Sequence, residues 1–330
     1  RIDVIHGYEW PPALEAHAAA ALSRSTAVVA TVMSMAVAPF LPSSVPLIVG
    51  TRHLQEVVAG RRRGPTHLIE PPVDLAANRP GPFAEAFRLR FGLSADVPTI
   101  VVVSRLVVDL KLEGVLTAIQ ATATLAERRP VRLVIVGDGA ARDEVERAAA
   151  ATNAQAGPGT VLLTGALTDP RGAYDAGDVI LGMGGSALRA LAFAKPLIVQ
   201  GEGGFFCELS PDTVDQFLVH GWYGKGSEAD PVISQQRFIR LVEPLLADEA
   251  RRIRLGRYGR MLVESRFGLA GAAEVQERIY QDSLVRRLGV CSRARDGLAS
   301  GAGLARYKAE RLRARKHGLV AVDDFNAAPA

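Results

Sequence analysis

The chain has 330 residues, 48% of them apolar, and a formal net charge of +4 at neutral pH. That length accommodates two α/β domains with real cores, and no apolar stretch reaches the roughly 18 residues that cross a bilayer. Two cysteines, Cys207 and Cys291, offer neither a disulfide framework nor a metal-ligand spacing, so a cytoplasmic protein without a bound metal is expected. The charge is uneven: residues 286–316 hold ten Lys/Arg against Asp296 and Glu310, a balance of +8, which leaves −4 elsewhere. A body with that balance is a poor nucleic-acid binder.

Three β-branched runs open the chain, Ile2–Ile5, Ala27–Val32 and Pro46–Val49, with helical patterns at Pro12–Leu22 and His53–Ala59. Leu68-Ile69 closes this series, which amounts to about half of a doubly wound sheet. Pro71, Pro72, Pro80, Gly81 and Pro82 mark a linker, giving a first domain over 1–78. A complete series follows, with strands at Thr99–Val103, Arg132–Val136, Val161–Thr164, Val179–Leu181 and Leu197–Gln200. Their continuous apolar runs suit a parallel sheet covered on both faces, and helical patterns separate them. This second domain is drawn at 79–268. A helix over Ala270–Leu288 follows, and Gly297–Gly303 reads as a flexible joint before a basic helix, Leu304–His317. That basic tail, 291–330, suggests weak contact with an anionic membrane surface.

Four loops at the carboxyl ends of second-domain strands carry polar or glycine residues, the edge where open α/β sheets bind ligands. Arg105 and Lys111 follow the first strand, and Gly137, Asp138 and Gly139 the second. Gly184, Gly185 and Ser186 follow the fourth, and Glu202 the fifth. Glycines admit a ligand close to the backbone, and a helix N-terminus attracts anions. Ser186 is expected to cap a helix over Ala187–Ala194. Arg189 then falls in its first turn, where a cation opposes the helix dipole unless an anion lies near. Two cations beside a glycine turn describe a diphosphate site. The run Gly182–Ala187 also fits the dinucleotide fingerprint G-x-G-x-x-A, with Glu202 as the ribose acid, so an NAD(P)-dependent oxidoreductase stands as the alternative.

The segments VVVSRLVVDLKLEGVLTAIQA, VRLVIVGDGAARDEVE and VLLTGALTDPRGAYDAGDVIL resemble the donor-domain signatures of family 4 glycosyltransferases of the GT-B fold. RIDVIHGYEWPPAL, HLIEPPVDLAANRP and RFGLAGAAEVQERIY resemble that family's first-domain strand, its approach to the linker and its C-terminal crossing helix, here drawn at 269–290. The resemblance implies an α/β protein of two Rossmann-like domains and a metal-independent, retaining transfer. The sugar leaves a nucleoside-diphosphate-sugar co-substrate for an unidentified glycan, lipid-linked or small-molecule acceptor. It implies that Arg105 and Lys111 hold the donor diphosphate and that His6 faces the donor sugar.

The chain departs from the pattern at several positions. Leu181 and Arg189 stand where the family carries the acids of Glu-x7-Glu, Tyr8 replaces the second histidine of His-x-His, and Met33 replaces another. The glycine-rich loop is similar to that of lipid-linked peptidoglycan transferases. A catalytically inactive homologue that binds a partner is therefore a further alternative. The first domain lacks the family's opening strand and helix, so on the order of 80 residues are expected upstream and the first domain is expected to be incomplete.

Overall fold

The computed structural model describes residues 2–316 except 22, 24, 229 and 287, together with residue 325. It divides into two compact units, residues 1–72 with 270–330, and residues 73–269. The expected boundary near 78 therefore lies six residues earlier in the structure.

The first unit begins β1 (Val4–Tyr8), α1 (Trp10–Ala21), β2 (Ala27–Val32), β3 (Leu47–Val49), α2 (Arg52–Ala59) and β4 (Thr66–Leu68). The four strands form a parallel sheet in sequential order, with β2 buried along its whole length. Thr51 caps α2 by accepting the Leu54 N–H, which fixes that helix one residue before the expected start.

The second unit starts with a helix hidden in the proline-rich linker, α3 (Phe83–Phe91). Phe83, Phe87 and Phe91 recur every four residues and so share one face. The buried Asp175 carboxylate accepts the N–H groups of Phe83 and Ala84, and Gly92 ends the helix in the left-handed region. There follow β5 (Thr99–Val103), α4 (Glu113–Ala126), β6 (Arg132–Val136), α5 (Arg142–Ala156), β7 (Val161–Gly165) and α6 (Arg171–Ala176). Then come β8 (Val179–Gly182), α7 (Gly185–Ala192), β9 (Leu197–Gln200), β10 (Phe206–Glu208), α8 (Val214–His220), α9 (Pro231–Ala247) and α10 (Glu249–Arg266).

The sheet order is β10-β9-β8-β5-β6-β7, parallel throughout except for β10, an antiparallel edge that sequence patterning did not reveal. Alternate residues of the central strands feed two separate cores. Ile100, Leu133 and Leu181 pack with α4 and α9, whereas Val101, Val134 and Ile180 pack with α6 and α7. Both faces are buried, which is why these strands read as continuous apolar runs. From β5 the chain winds to one side through β6 and β7, then returns to the other side for β8 and β9. The switch point lies between β5 and β8.

The chain then returns to the first unit through α11 (Leu269–Val285) and α12 (Val290–Lys316). Here the structure corrects one expectation: Gly297–Gly303 is no joint but lies inside one 27-residue helix, together with residues 291–316 of the expected tail. Arg293 donates to the carbonyls of Ala20, Ser23 and Thr26, while buried Asp296 pairs with Arg63 and accepts the Ser44 N–H. Tyr307 stacks into an aromatic cluster with Trp10 and Phe40, and a Cβ at Gly303 would crowd Phe40. These anchors outweigh the roughly 1 kcal/mol that each mid-helix glycine costs against alanine. His317 and the Asp323-Asp324 pair lie outside the described residues. No described helix is long and apolar enough to cross a membrane.

Candidate functional site

A crevice of about 380 Å³ opens at the carboxyl ends of β5, β6, β7 and β8, over the switch point. Arg105, Lys111 and Arg189 line it, with Gly137, Asp138, Gly185 and Ser186. Three cations thus share one crevice whose sole acidic lining residue, among those described, is Asp138. That acid is engaged elsewhere, accepting from the Gly139 N–H at 2.8 Å and from Arg142 at 2.9 Å. Burial, and then the charge of Arg105, push the Lys111 ammonium below its ordinary range. Clustered cations without carboxylate partners raise the local positive potential and favour a polyanion.

The backbone explains how Arg105 and Lys111 come together. Leu110 adopts φ +68, a left-handed conformation rare for a leucine, in an irregular turn over Val108–Leu112 just before α4. This bend carries Lys111 to the sheet edge. Strain of that kind, of order 1–3 kcal/mol, concentrates at ligand sites. Gly137 and Gly139, at φ +154 and +156, brace the same loop from the side. A Cβ on either would overlap the Ser104 or Leu106 carbonyl. Asp138 and Ala141 exchange backbone hydrogen bonds with Leu106, both at 2.9 Å. Gly139 supports the loop without lining the crevice.

At the opposite lip, α7 begins at Gly185, two residues earlier than expected, after Gly184 at φ +55. Ser186 is therefore not its cap: the Ser186 hydroxyl turns back to the Met183 carbonyl at 2.9 Å. Arg189 moves from the first turn to the last, where a cation agrees with the dipole, so the expected conflict does not arise. The Gly184 N–H is taken by the Trp222 carbonyl at 2.7 Å. Of the amides at 184–186, that of Gly185 is left without an acceptor among the described residues. The Arg189 guanidinium faces the phenol of Tyr174, which burial pushes well above its ordinary range against the opposing pull of Arg189.

Residues 97–223 match the family model described as glycosyl transferases group 1. The matched stretch lies within the second unit. No curated protein sequence matches the chain. Solved structures do. A glycosyltransferase from Rickettsia africae shares 15% identity at a TM-score of 0.63, over 86% of this chain and 77% of that one. Sucrose-phosphate synthase from Thermosynechococcus elongatus shares 18% at 0.64, over 86% and 74%. Anabaena HepE in complex with UDP shares 16% at 0.63, over 84% and 79%. At 15% to 18% identity these likenesses establish the fold, two Rossmann-like units of the GT-B type.

Two features of the second unit go beyond the sequence expectations. The β7 loop supplies Ala166, Leu167, Thr168 and Pro170 to the crevice, and the signal that could have found it is Gly165, the residue directly after the expected strand, at φ +72. Glu202, expected on the ribose, is absent from the lining. Its carboxylate accepts the Tyr223 hydroxyl at 2.7 Å, and its backbone bridges to Lys225. Glu113, at the start of α4, accepts the N–H groups of Gly203 and Gly204 and holds that β9 turn closed. No described cluster of three His, Cys, Asp or Glu residues has the arrangement of a metal site.

His6 belongs to the first unit. Its Nδ1 lies 2.7 Å from the Tyr280 hydroxyl and its Nε2 2.7 Å from the Thr31 hydroxyl, with Tyr8 stacked on the ring. Burial lowers its pKa to about 4, so the ring is neutral at physiological pH.

Proposed function

We propose that the protein transfers a sugar from a nucleoside-diphosphate-sugar to an acceptor, with retention at the anomeric carbon. The observation that carries this reading is the convergence of Arg105, Lys111 and Arg189 on one crevice at the β5/β8 switch point. As the glycosidic bond to the diphosphate breaks, negative charge grows on the leaving oxygens. Cations already fixed around them lower that barrier without rearranging, and the Gly185 N–H adds a donor. The resemblance to family 4 supports retention, and an electrostatic route of this kind needs no metal on the phosphates. UDP is the first nucleotide to test, because HepE was solved with UDP and with UDP-glucose.

Calorimetry with UDP tests the site directly. Replacing Arg105 or Lys111 by Ala should each weaken UDP by roughly 1.5–3 kcal/mol, the scale of a charge-assisted hydrogen bond. Glu202→Ala should leave UDP affinity unchanged, because its carboxylate serves Tyr223. If a double Arg105→Ala, Lys111→Ala variant binds UDP normally, the crevice is not the donor site. A second reading has its own support: Leu181 and Arg189 stand where the family's acids are expected, which fits a protein that binds the donor without turning it over. Full UDP binding with no hydrolysis or transfer of UDP-sugars, across acceptors, would favour it.

A further inference from the structure

A cavity of the first unit shares no lining residue with the donor crevice. It measures about 790 Å³ and runs between α1 and α12. Leu14, Ala18 and Ala21 form one wall, and Leu298 and Leu304 stand on the other. Its concavity comes from glycine. Gly289, Gly297 and Gly301 all line it, and a Cβ at any of the three would meet open space. Glycine is disfavoured within a helix, and at Gly297 and Gly301 no neighbour demands it. A helix that keeps two glycines on one face, four residues apart, with no described neighbour against either, leaves an open trough along that face.

One end of the cavity is polar. A notch of about 20 Å³, room for roughly one water-sized atom group, shares His17, Leu288 and Arg293 with the cavity and adds Ser283 and Arg286. Arg293 is only 7% exposed, yet its bonding partners are the neutral carbonyls of Ala20, Ser23 and Thr26. Among the described residues, neither the cavity nor the notch is lined by a carboxylate. A buried guanidinium without a counter-ion, at the end of an apolar trough, is complementary to an anion that arrives on a hydrocarbon. A second copy of the chain fits poorly, since each copy would bring its own strongly basic 286–316 stretch to the contact.

We propose that this groove binds an amphiphile with one hydrocarbon chain and an anionic head. The chain lies along Gly297 and Gly301, and one head oxygen enters the Arg293 notch. The site is independent of the donor reading and stands or falls by its own experiment. The 330-residue chain is titrated calorimetrically with hexadecanoate, and with hexadecyltrimethylammonium as the charge-reversed control, both kept below micelle formation.

Saturable one-to-one binding of hexadecanoate, with the ammonium compound far weaker, is the expected result. Gly297→Leu and Gly301→Leu fill the groove with a better helix former, so both should fold, as circular dichroism would verify. Each should lose about tenfold or more in affinity. Displacement of hexadecanoate by phosphatidylglycerol vesicles would name bilayer lipid as the source, and its absence a free amphiphile. No saturable binding, equal binding of both head charges, or unchanged affinity in both leucine variants overturns the proposal. So does self-association of the wild type that either variant abolishes while hexadecanoate fails to bind.

Discussion

Two residues show how single positions are tied to the sites around them. The His6 ring gives up its proton at about pH 4 rather than at 6.5, because burial penalises the charged form. Between those values the unfolded chain binds more protons than the folded one, so stability falls as pH drops through that window and is unaffected above it. Burial pushes His67 the same way, so replacing His6 by Asn should flatten the acid limb of a melting-temperature profile in part. Superimposable profiles would mean that His6 does not set the acid sensitivity. Gly137 acts through its neighbour. Any side chain there would strike the Ser104 carbonyl at a φ of +154, so the β5 loop must shift. Gly137→Ala should cost roughly 2 kcal/mol or more of stability. It should also weaken UDP although it removes no charge. A variant with wild-type melting and wild-type UDP affinity would show that the loop does not depend on this glycine.

Among the elements, α12 departs most from its sequence. Three glycines in seven residues satisfy the usual signs of a hinge, and local propensity does disfavour helix there. What overrides it is long-range: Asp296 reaches Arg63 and Ser44, and Tyr307 reaches Trp10 and Phe40, partners more than 200 residues away. Asp296→Ala should therefore destabilise the first unit by about 2–4 kcal/mol, the half-exposed Arg63 keeping the loss below that of a fully buried pair. A melting curve unchanged by this substitution would make α12 an appendage.

The same contrast runs through the other elements. The parallel strands were legible because burial on both faces writes an uninterrupted apolar run. Helix α3 was obscured because prolines and a glycine precede it, and its cap comes from Asp175, nearly a hundred residues on. The three cations of the crevice were readable from their places after β5 and β8. Which loops join them depends on strand order, which no local pattern records. Hence no local pattern joins the β7 loop to the crevice or sets Glu202, beyond β9, outside its lining.

On the scale of the whole molecule, the second unit is one uninterrupted stretch, whereas the first is assembled from two. Residues 73–269, made alone, should fold cooperatively and bind UDP as the full chain does, since every crevice residue lies within them. Circular dichroism and calorimetry on that fragment would show otherwise by a non-cooperative melt or lost affinity. Residues 1–72 alone should not reach a native state. Their core lacks Leu304 and Tyr307, and Arg63 lacks Asp296. During synthesis this reverses the usual order, in which domains mature from the amino end. The four-stranded sheet leaves the ribosome before the second unit and must wait, without its α12 contacts, until that unit and then α12 have emerged. The window of vulnerability to aggregation and to chaperone capture is thus set by the time taken to translate some two hundred intervening residues, roughly 10 to 40 seconds at about 5–20 residues per second.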